Sequence, residues 1–189
     1  LYDDDGQPTA SNSYKYVGGE ATWANLTDVD GALGADADGD GVDDAWTLIE
    51  SEADFEALLD GDTPERVIGV PHVYQTLQYN RSGGDEYSQP YEVPFNENVP
   101  TIAEMTMGAI NVLDNDEDGF FLMVEGGAVD WAGHGNLSGR LVEEEIDFND
   151  SVEVVIEWVK ENSNWGETLL IVTGDHETGY LTGPGSDPT

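Results

Sequence analysis

The chain has 189 residues and no cysteine, which excludes disulfide bonds and thiolate metal sites but leaves the redox compartment open. Five basic residues face 41 acidic ones, and the resulting net charge of −36 excludes charge-driven binding to nucleic acid or anionic lipid. With 38% hydrophobic residues the chain can form a packed core, and no apolar run is long enough to cross a bilayer.

The acidic charge indicates the setting in which the protein works. A chain so strongly charged repels itself and needs cations to stay compact. Two interpretations remain open, namely a surface adapted to high salt and a protein that collects calcium. We expect a secreted, periplasmic or cell-surface protein from a saline setting. Because the chain begins at Leu1 without a signal-peptide pattern, we also expect it to be part of a longer chain.

Residues 25–64 are predicted to be an acidic insertion that contains a candidate calcium loop. The candidate ligands alternate along residues 36–44, and they are Asp36, Asp38, Asp40, the Val42 carbonyl and Asp44. Gly41 stands where such loops turn sharply. Position twelve is Thr47 instead of a bidentate Glu, so the pattern favours a looser site of the extracellular type. A solvated acidic turn is the alternative.

Local signals predict the next elements. Ser51 is a good N-cap for a short helix over residues 51–59. Residues 66–71 read as a buried strand closed by proline, and residues 79–100 as an ordered loop. In these stretches His72 is expected to be structural and Arg81 to lie at the surface. Thr101 and Glu104 form a capping-box pattern that opens a helix through about residue 113.

The chain is organised around residues 119–180. Two apolar runs, residues 120–124 and 168–173, lack the alternation of a half-exposed strand and therefore predict strands covered on both faces. Between them, residues 139–162 have helical periodicity, with Glu143, Glu144 and Glu145 expected on the solvent side and Asp147 left structural. Strand, helix and strand in this order predict an α/β fold with a mostly parallel sheet and helices on both faces.

Candidate metal ligands follow both predicted strands. Glu125, Asp130 and His134 come after the first strand, and Asp175 and His176 end the second. Ligands of parallel sheets bind beyond the carboxyl ends of the strands, so these side chains are expected to lie together. Carboxylate and imidazole without cysteine suit zinc, or zinc with magnesium. A single acidic residue is weak evidence for a ligand because the chain has 41 of them. Two of its three histidines fall in these loops, and this favours a metal site.

These residues carry a resemblance to a known family. The segments are Gly119-Phe120-Phe121-Leu122-Met123-Val124-Glu125-Gly126, then Asp130-x-Ala132-Gly133-His134, then Val172-Thr173-Gly174-Asp175-His176-Glu177-Thr178-Gly179. Together with residues 100–106 and, more loosely, 67–70, they resemble alkaline phosphatase over roughly residues 65–182.

The resemblance implies a fold, an activity and a set of roles. The chain would be part of a single three-layer domain, with residues 65–182 as its metal-binding α/β core. It would hydrolyse small phosphate esters with two zinc ions and one magnesium ion, and a homodimer is compatible with it. By this implication Glu125 is the magnesium ligand, Asp130 and His134 hold the first zinc, and Asp175 and His176 hold the second. Trp131 could line the pocket or be only a wall of the loop.

The chain also departs from the family pattern. The family's nucleophilic serine and a bridging Asp would lie before this segment, and its last zinc-ligand histidine would lie after Thr189. No catalytic nucleophile is therefore expected among these residues. The alternatives are a phosphodiesterase or sulfatase-type hydrolase on the same scaffold, and a non-catalytic acidic protein that binds calcium at a surface or in an assembly.

Overall fold

The computed structural model describes residues 2–9, 14–15, 17–26, 36 and 39–179. The elements of this part of the chain are, in order, α1 (Glu20–Leu26), β1 (Thr47–Ile49), α2 (Glu52–Glu56), β2 (Val67–Gly69), α3 (Ile102–Leu113), α4 (Gly127–His134) and α5 (Ser138–Asn162). None of the helices in these ranges is long and apolar enough to span a membrane.

The strands β1 and β2 form a parallel pair, with Leu48 opposite Ile68. Helix α2 lies between them in sequence, so the three elements form a small crossover unit. The Phe55 ring packs so closely on β2 that a Cβ atom at Gly69 would lie 2.7 Å from it. Ile49, Phe55 and Leu58 form the buried cluster at this sheet. The fold class is α/β, as the sequence predicts.

Helix α3 begins where its capping box predicts. The Thr101 hydroxyl accepts a hydrogen bond from the Glu104 backbone N–H at 3.1 Å, and the Glu104 carboxylate accepts one from the Thr101 N–H at 2.7 Å. Ile110 of α3 packs with Trp158 and Val159 of α5 in a second buried cluster. This packing holds α5 against α3.

The face of α5 near its N-terminus is more buried than the sequence predicts. Glu143 and Glu144 were expected on the solvent side, but they are only 4% and 7% exposed, and Arg81, expected at the surface, is 4% exposed. The Glu143 carboxylate accepts hydrogen bonds from Arg81 at 2.8 Å and from Arg140 at 3.1 Å. The burial of Glu143 and Arg81 is tolerated because their charges are paired. Glu145 is exposed, as predicted.

The structure also differs from the prediction of two central strands. The structure describes residues 120–124 and 168–173 but assigns no strand to either segment. Their apolar side chains are largely exposed, including Phe121 at 87%, Met123 at 75% and Leu169 at 82%. A strand is defined by hydrogen bonds to a neighbouring strand. In the described residues only β1 and β2 are paired as strands, so the sheet has two strands there.

Candidate metal centre

Helix α4 positions the first pair of candidate ligands. Asp130 and His134 are four residues apart on one face of α4, and Asp130 Oδ1 lies 3.5 Å from His134 Nε2. Between them in the helix, Ala132 is fully buried and Gly133 is buried. The buried side therefore holds α4 against the protein while the two polar side chains remain accessible. The region was expected to be a loop that could include a single helical turn, and it is a helix of eight residues.

The second pair lies in the turn after residue 173. His176 Nε2 is 3.5 Å from Asp175 Oδ2, and the His176 backbone N–H donates to Asp175 Oδ1 at 2.9 Å. On the other side of the ring, Nδ1 lies 3.0 Å from the Glu177 carbonyl oxygen. That carbonyl can only accept, so Nδ1 carries the proton and the Nε2 lone pair of the neutral ring is left for a metal ion. The same hydrogen bond, together with Asp175, raises the pKa of His176.

Thr178 joins the two pairs, and the sequence reasoning gave it no role. Its hydroxyl donates to Asp130 Oδ1 at 2.7 Å and lies 3.2 Å from His176 Nδ1. The backbones of the two segments also lie close together. A Cβ atom at Gly179, where φ is +84°, would lie 2.7 Å from the Gly133 carbonyl oxygen. The sequence does contain a signal for this role, because Thr178 places a hydroxyl two residues after the candidate ligand His176.

The donor atoms of each pair fit zinc. Zinc binds imidazole nitrogen and carboxylate oxygen at about 2.0–2.2 Å in tetrahedral sites, so two donors on one ion stand roughly 3.3–3.5 Å apart. Both carboxylate–imidazole pairs have a separation of 3.5 Å. Among the described residues, however, no group of three or more His, Cys, Asp or Glu side chains is arranged to hold a metal ion. Each pair would supply two of the four ligands of such a site.

Glu125 lies apart from the two pairs. It is exposed at the end of the segment that precedes α4, and it lines a groove with residues of α3 and α5. Trp131 of α4 lines the same groove, is 42% exposed and meets the Tyr79 ring edge-on at 6.0 Å. The structure therefore brings Asp130 and His176 together through Thr178, but it does not place Glu125 in one cluster with them.

The candidate calcium loop is partly described. The Asp36 carboxylate accepts hydrogen bonds from the backbone N–H groups of Gly39 at 2.7 Å and Gly41 at 3.1 Å. Asp40 Oδ1 accepts from the Val42 N–H at 2.8 Å, and Gly41 has a φ of +89°. Asp38 lies outside the described residues. The turn at the predicted glycine is present, and the calcium assignment stays a prediction.

Comparison with known proteins gives consistent matches. The family model for alkaline phosphatase matches residues 60–188. The membrane-bound alkaline phosphatase of Bombyx mori is 31% identical over 179 residues, which cover 87% of this chain and 30% of that protein. The repressible alkaline phosphatase of Saccharomyces cerevisiae is 35% identical over 163 residues, covering 80% of this chain and 27% of that protein.

Bacterial relatives match a shorter part. Alkaline phosphatase 3 of Bacillus subtilis is 41% identical over 90 residues, covering 48% of this chain and 19% of that protein. A crystal structure of a cold-active alkaline phosphatase from Shewanella sp. aligns with a TM-score of 0.48 and 24% identity, over 79% of this chain and 29% of that one. The chain thus spans about a fifth to a third of the length of these relatives. Since the family model matches well over half of its residues, the chain belongs to the alkaline phosphatase family.

Proposed function

We propose that these residues form part of the metal-binding core of an enzyme that hydrolyses phosphate monoesters. The observation that carries the proposal is the pair of carboxylate–imidazole sites, each with donors 3.5 Å apart, joined by the hydroxyl of Thr178. Family membership supports phosphomonoester chemistry in general, and residues 65–182 are proposed as the metal-binding core within the matched region. Residues 180–182 of this range lie outside the described part.

Each pair is assigned one zinc ion. Asp130 and His134 would hold the first, Asp175 and His176 the second, and Glu125 would hold magnesium. Zinc bound in this way supplies Lewis-acid stabilisation of phosphoryl oxygens and lowers the pKa of a bound nucleophile. The protein's own part is orientation, since Thr178 fixes the carboxylate of Asp130 and the Glu177 carbonyl fixes the ring of His176. We assign Trp131 as an accessible wall of the adjoining groove.

The surface charge sets how substrate arrives and where the protein works. A net charge of −36 repels a phosphate ester at long range, so capture must be local, at the metal ions. We infer a secreted or cell-surface protein of a saline setting, in which the cations of the medium offset the self-repulsion. Calcium at residues 36–44 would neutralise the predicted insertion, and the Asp36 hydrogen bonds to Gly39 and Gly41 support a folded turn there.

The test uses the intact protein. Exhaustive chelation is expected to abolish hydrolysis of p-nitrophenyl phosphate, and zinc with magnesium is expected to restore it. H134A and H176A should each lose more than about 100-fold in activity and recover little with added zinc. The matched control is H72Q, because His72 stacks on Tyr2 at 4.1 Å and belongs to neither pair. Activity that survives chelation, or equal activities of H176A and H72Q, would contradict the proposal.

The alternative reactions are separated by substrate. Rates on a phosphate monoester, a phosphate diester and a sulfate ester should be compared for the same zinc-loaded protein. The proposal expects the monoester to be fastest by a wide margin. A faster diester or sulfate ester would assign the scaffold to the alternative hydrolase, and absence of all three activities in the zinc-loaded protein would support the non-catalytic alternative.

A further inference from the structure

The groove beside α4 contains carboxylates that the two zinc pairs do not use. It has a volume of about 460 Å³ and is bordered by α3, α4, α5 and the loop of residues 70–77. Its polar lining consists mainly of Glu125, Glu144, Asp147 and Thr76, and Trp131 and Met105 form part of its apolar wall. Glu144 and Asp147 are three residues apart on α5, so their side chains emerge on the same helix face.

One of these carboxylates is buried without a partner. Glu144 is 7% exposed, and its Oε1 atom is buried with no hydrogen bond. The Thr76 hydroxyl, which belongs to the same groove, is also buried and has no hydrogen bond. Buried polar atoms are rarely left in this state unless an ion or ligand completes them. Both atoms therefore indicate a missing partner at the groove.

The neighbouring cations do not supply that partner. The two buried guanidinium groups, Arg81 and Arg140, both bond to Oε2 of Glu143. The remaining hydrogen bonds of Arg81 go to the carbonyl oxygens of Pro94, Gln78 and Val93. With Glu144 and Asp147 included, three carboxylates face two guanidinium groups. This part of the protein thus has more carboxyl groups than guanidinium groups, next to a groove that also contains Glu125.

We propose that this groove binds one hard divalent cation, calcium or magnesium, through the carboxylates of Glu144 and Asp147 and the hydroxyl of Thr76. Such ions prefer carboxylate, hydroxyl and water oxygens, and calcium tolerates irregular shells of six to eight ligands. The open groove leaves room for the waters that complete the shell. Asp147 lies near the start of α3, where the Ile102 backbone N–H favours its ionised form.

The titration behaviour of the two carboxylates agrees with this geometry. Burial, then repulsion from Asp147, raises the pKa of Glu144 to about 7. Burial also raises the pKa of Asp147 to about 6, with Asp150 and Glu104 acting in the same direction and the Ile102 backbone N–H opposing them. Two adjacent carboxylates that resist ionisation together are stabilised either by protons or by a cation. A bound divalent ion would displace those protons near neutral pH.

The experiment measures ion binding, so its outcome does not depend on phosphatase activity. Calcium and magnesium are titrated calorimetrically into the intact, metal-free protein in 1 M KCl, where the screening length is only about 3 Å and diffuse binding to the acidic surface is suppressed. E144Q and D147N are each expected to lose one site, or to bind that ion at least about tenfold more weakly, because a charged ligand has become neutral. E145Q is the matched control, since Glu145 is the exposed neighbour on the same helix.

Terbium locates the ion. Terbium replaces calcium in oxygen sites and is excited by a nearby tryptophan, so Trp131 in the groove wall should sensitise its emission. The emission should fall in W131F and E144Q and persist in E145Q. Equal binding by E144Q and E145Q would overturn the proposal. Emission unchanged in W131F would place the ion elsewhere and would also overturn the proposal.

Discussion

The hydroxyl of Thr178 lies 2.7 Å from Oδ1 of Asp130, although the two residues are 48 positions apart. This hydrogen bond links the helix that carries His134 directly to the turn that carries His176. The same hydroxyl lies 3.2 Å from His176 Nδ1, so one side chain touches a candidate ligand of each zinc pair. The relative position of the two pairs therefore depends on Thr178.

T178V should weaken zinc binding without unfolding the protein. Valine keeps the shape of threonine but removes the hydroxyl, so Asp130 loses the donor that orients it. Groups that orient metal ligands typically contribute about 10- to 100-fold in metal affinity, and a loss in that range is expected. Zinc affinity is measured by competition with a chelator of known strength.

Two control variants accompany T178V. T178S keeps the hydroxyl and should retain most of the affinity. T173V removes an exposed hydroxyl from the same segment, one that donates only to the Gly174 carbonyl at 3.2 Å, and should bind zinc like the unaltered protein. If T178V and T173V bind zinc equally well, Thr178 has no orienting role.

E143Q should strongly destabilise the fold. Glu143 is 4% exposed, and it also accepts a hydrogen bond from the Tyr91 backbone N–H at 2.7 Å. Neutralising this carboxylate leaves Arg81 and Arg140 buried without the charge they share. Breaking a buried ion pair from one side costs about 3–5 kcal/mol, and a loss of that order in the free energy of unfolding is expected. Urea denaturation measures it.

E145Q provides the comparison for E143Q. Because the Glu145 side chain is exposed, its replacement should change the free energy of unfolding by less than about 0.5 kcal/mol. A similar small change in E143Q would show that Arg81 and Arg140 find solvent or another carboxylate once Glu143 is neutral. The interpretation of Glu143 as the shared partner would then be wrong.

Local patterns in the sequence were sufficient for several elements. The capping box of Thr101 and Glu104 is complete within four residues, and α3 begins directly after it. The apolar periodicity of residues 139–162 likewise predicted α5, which runs over Ser138–Asn162. The spacing of four between Asp130 and His134 is that of one helical turn, and their donor atoms are 3.5 Å apart on α4, although the segment was predicted as a loop. In each case neighbours within one helical turn determine the structure.

Long-range partners were not visible in the sequence. Glu143 lies in a run of three glutamates that reads as a solvent face, and its partner Arg81 is 62 positions away. Thr178 meets Asp130 across 48 positions. The apolar segment that contains Phe121 was predicted as a strand, but β-structure requires a hydrogen-bonded neighbour that no pattern within one segment can supply. What the sequence missed is therefore pairing between distant segments.

G139A should destabilise the protein, against the usual effect of this change in a helix. Gly139 lies in the first turn of α5, and a Cβ atom there would overlap the Ser88 carbonyl oxygen. Gly→Ala in a helix normally adds up to about 1 kcal/mol of stability, whereas forced overlap costs about 1–3 kcal/mol.

The control is G127A in α4, where the nearest atom, Glu125 Oε1, would be at an ordinary 3.4 Å. Thermal unfolding should shift down for G139A and not for G127A. Equal shifts would mean that the loop at Ser88 yields easily.

The carboxylate of Glu144 should make the metal-free protein lose stability as the pH rises towards neutrality. Burial and the neighbouring Asp147 raise its pKa from the ordinary 4.5 to about 7, with Arg81 and Arg140 opposing that rise and Glu143 adding to it. Between these two pH values the folded state binds more protons than the unfolded state, so the free energy of unfolding falls. The fall from this group is on the order of 2–3 kcal/mol.

Comparison of E144Q with E145Q isolates this group from the general repulsion of the acidic surface. Both variants remove one carboxyl group, but only Glu144 is buried, so in 1 M salt with chelator E144Q should have the flatter stability curve between about pH 4.5 and 7. Urea unfolding at several pH values measures the difference. Calcium should oppose the loss of stability in E145Q and have little effect in E144Q, because only the former keeps the charged ligand in the groove. Parallel curves for the two variants would show that Glu144 ionises as readily in the folded protein as in the unfolded chain.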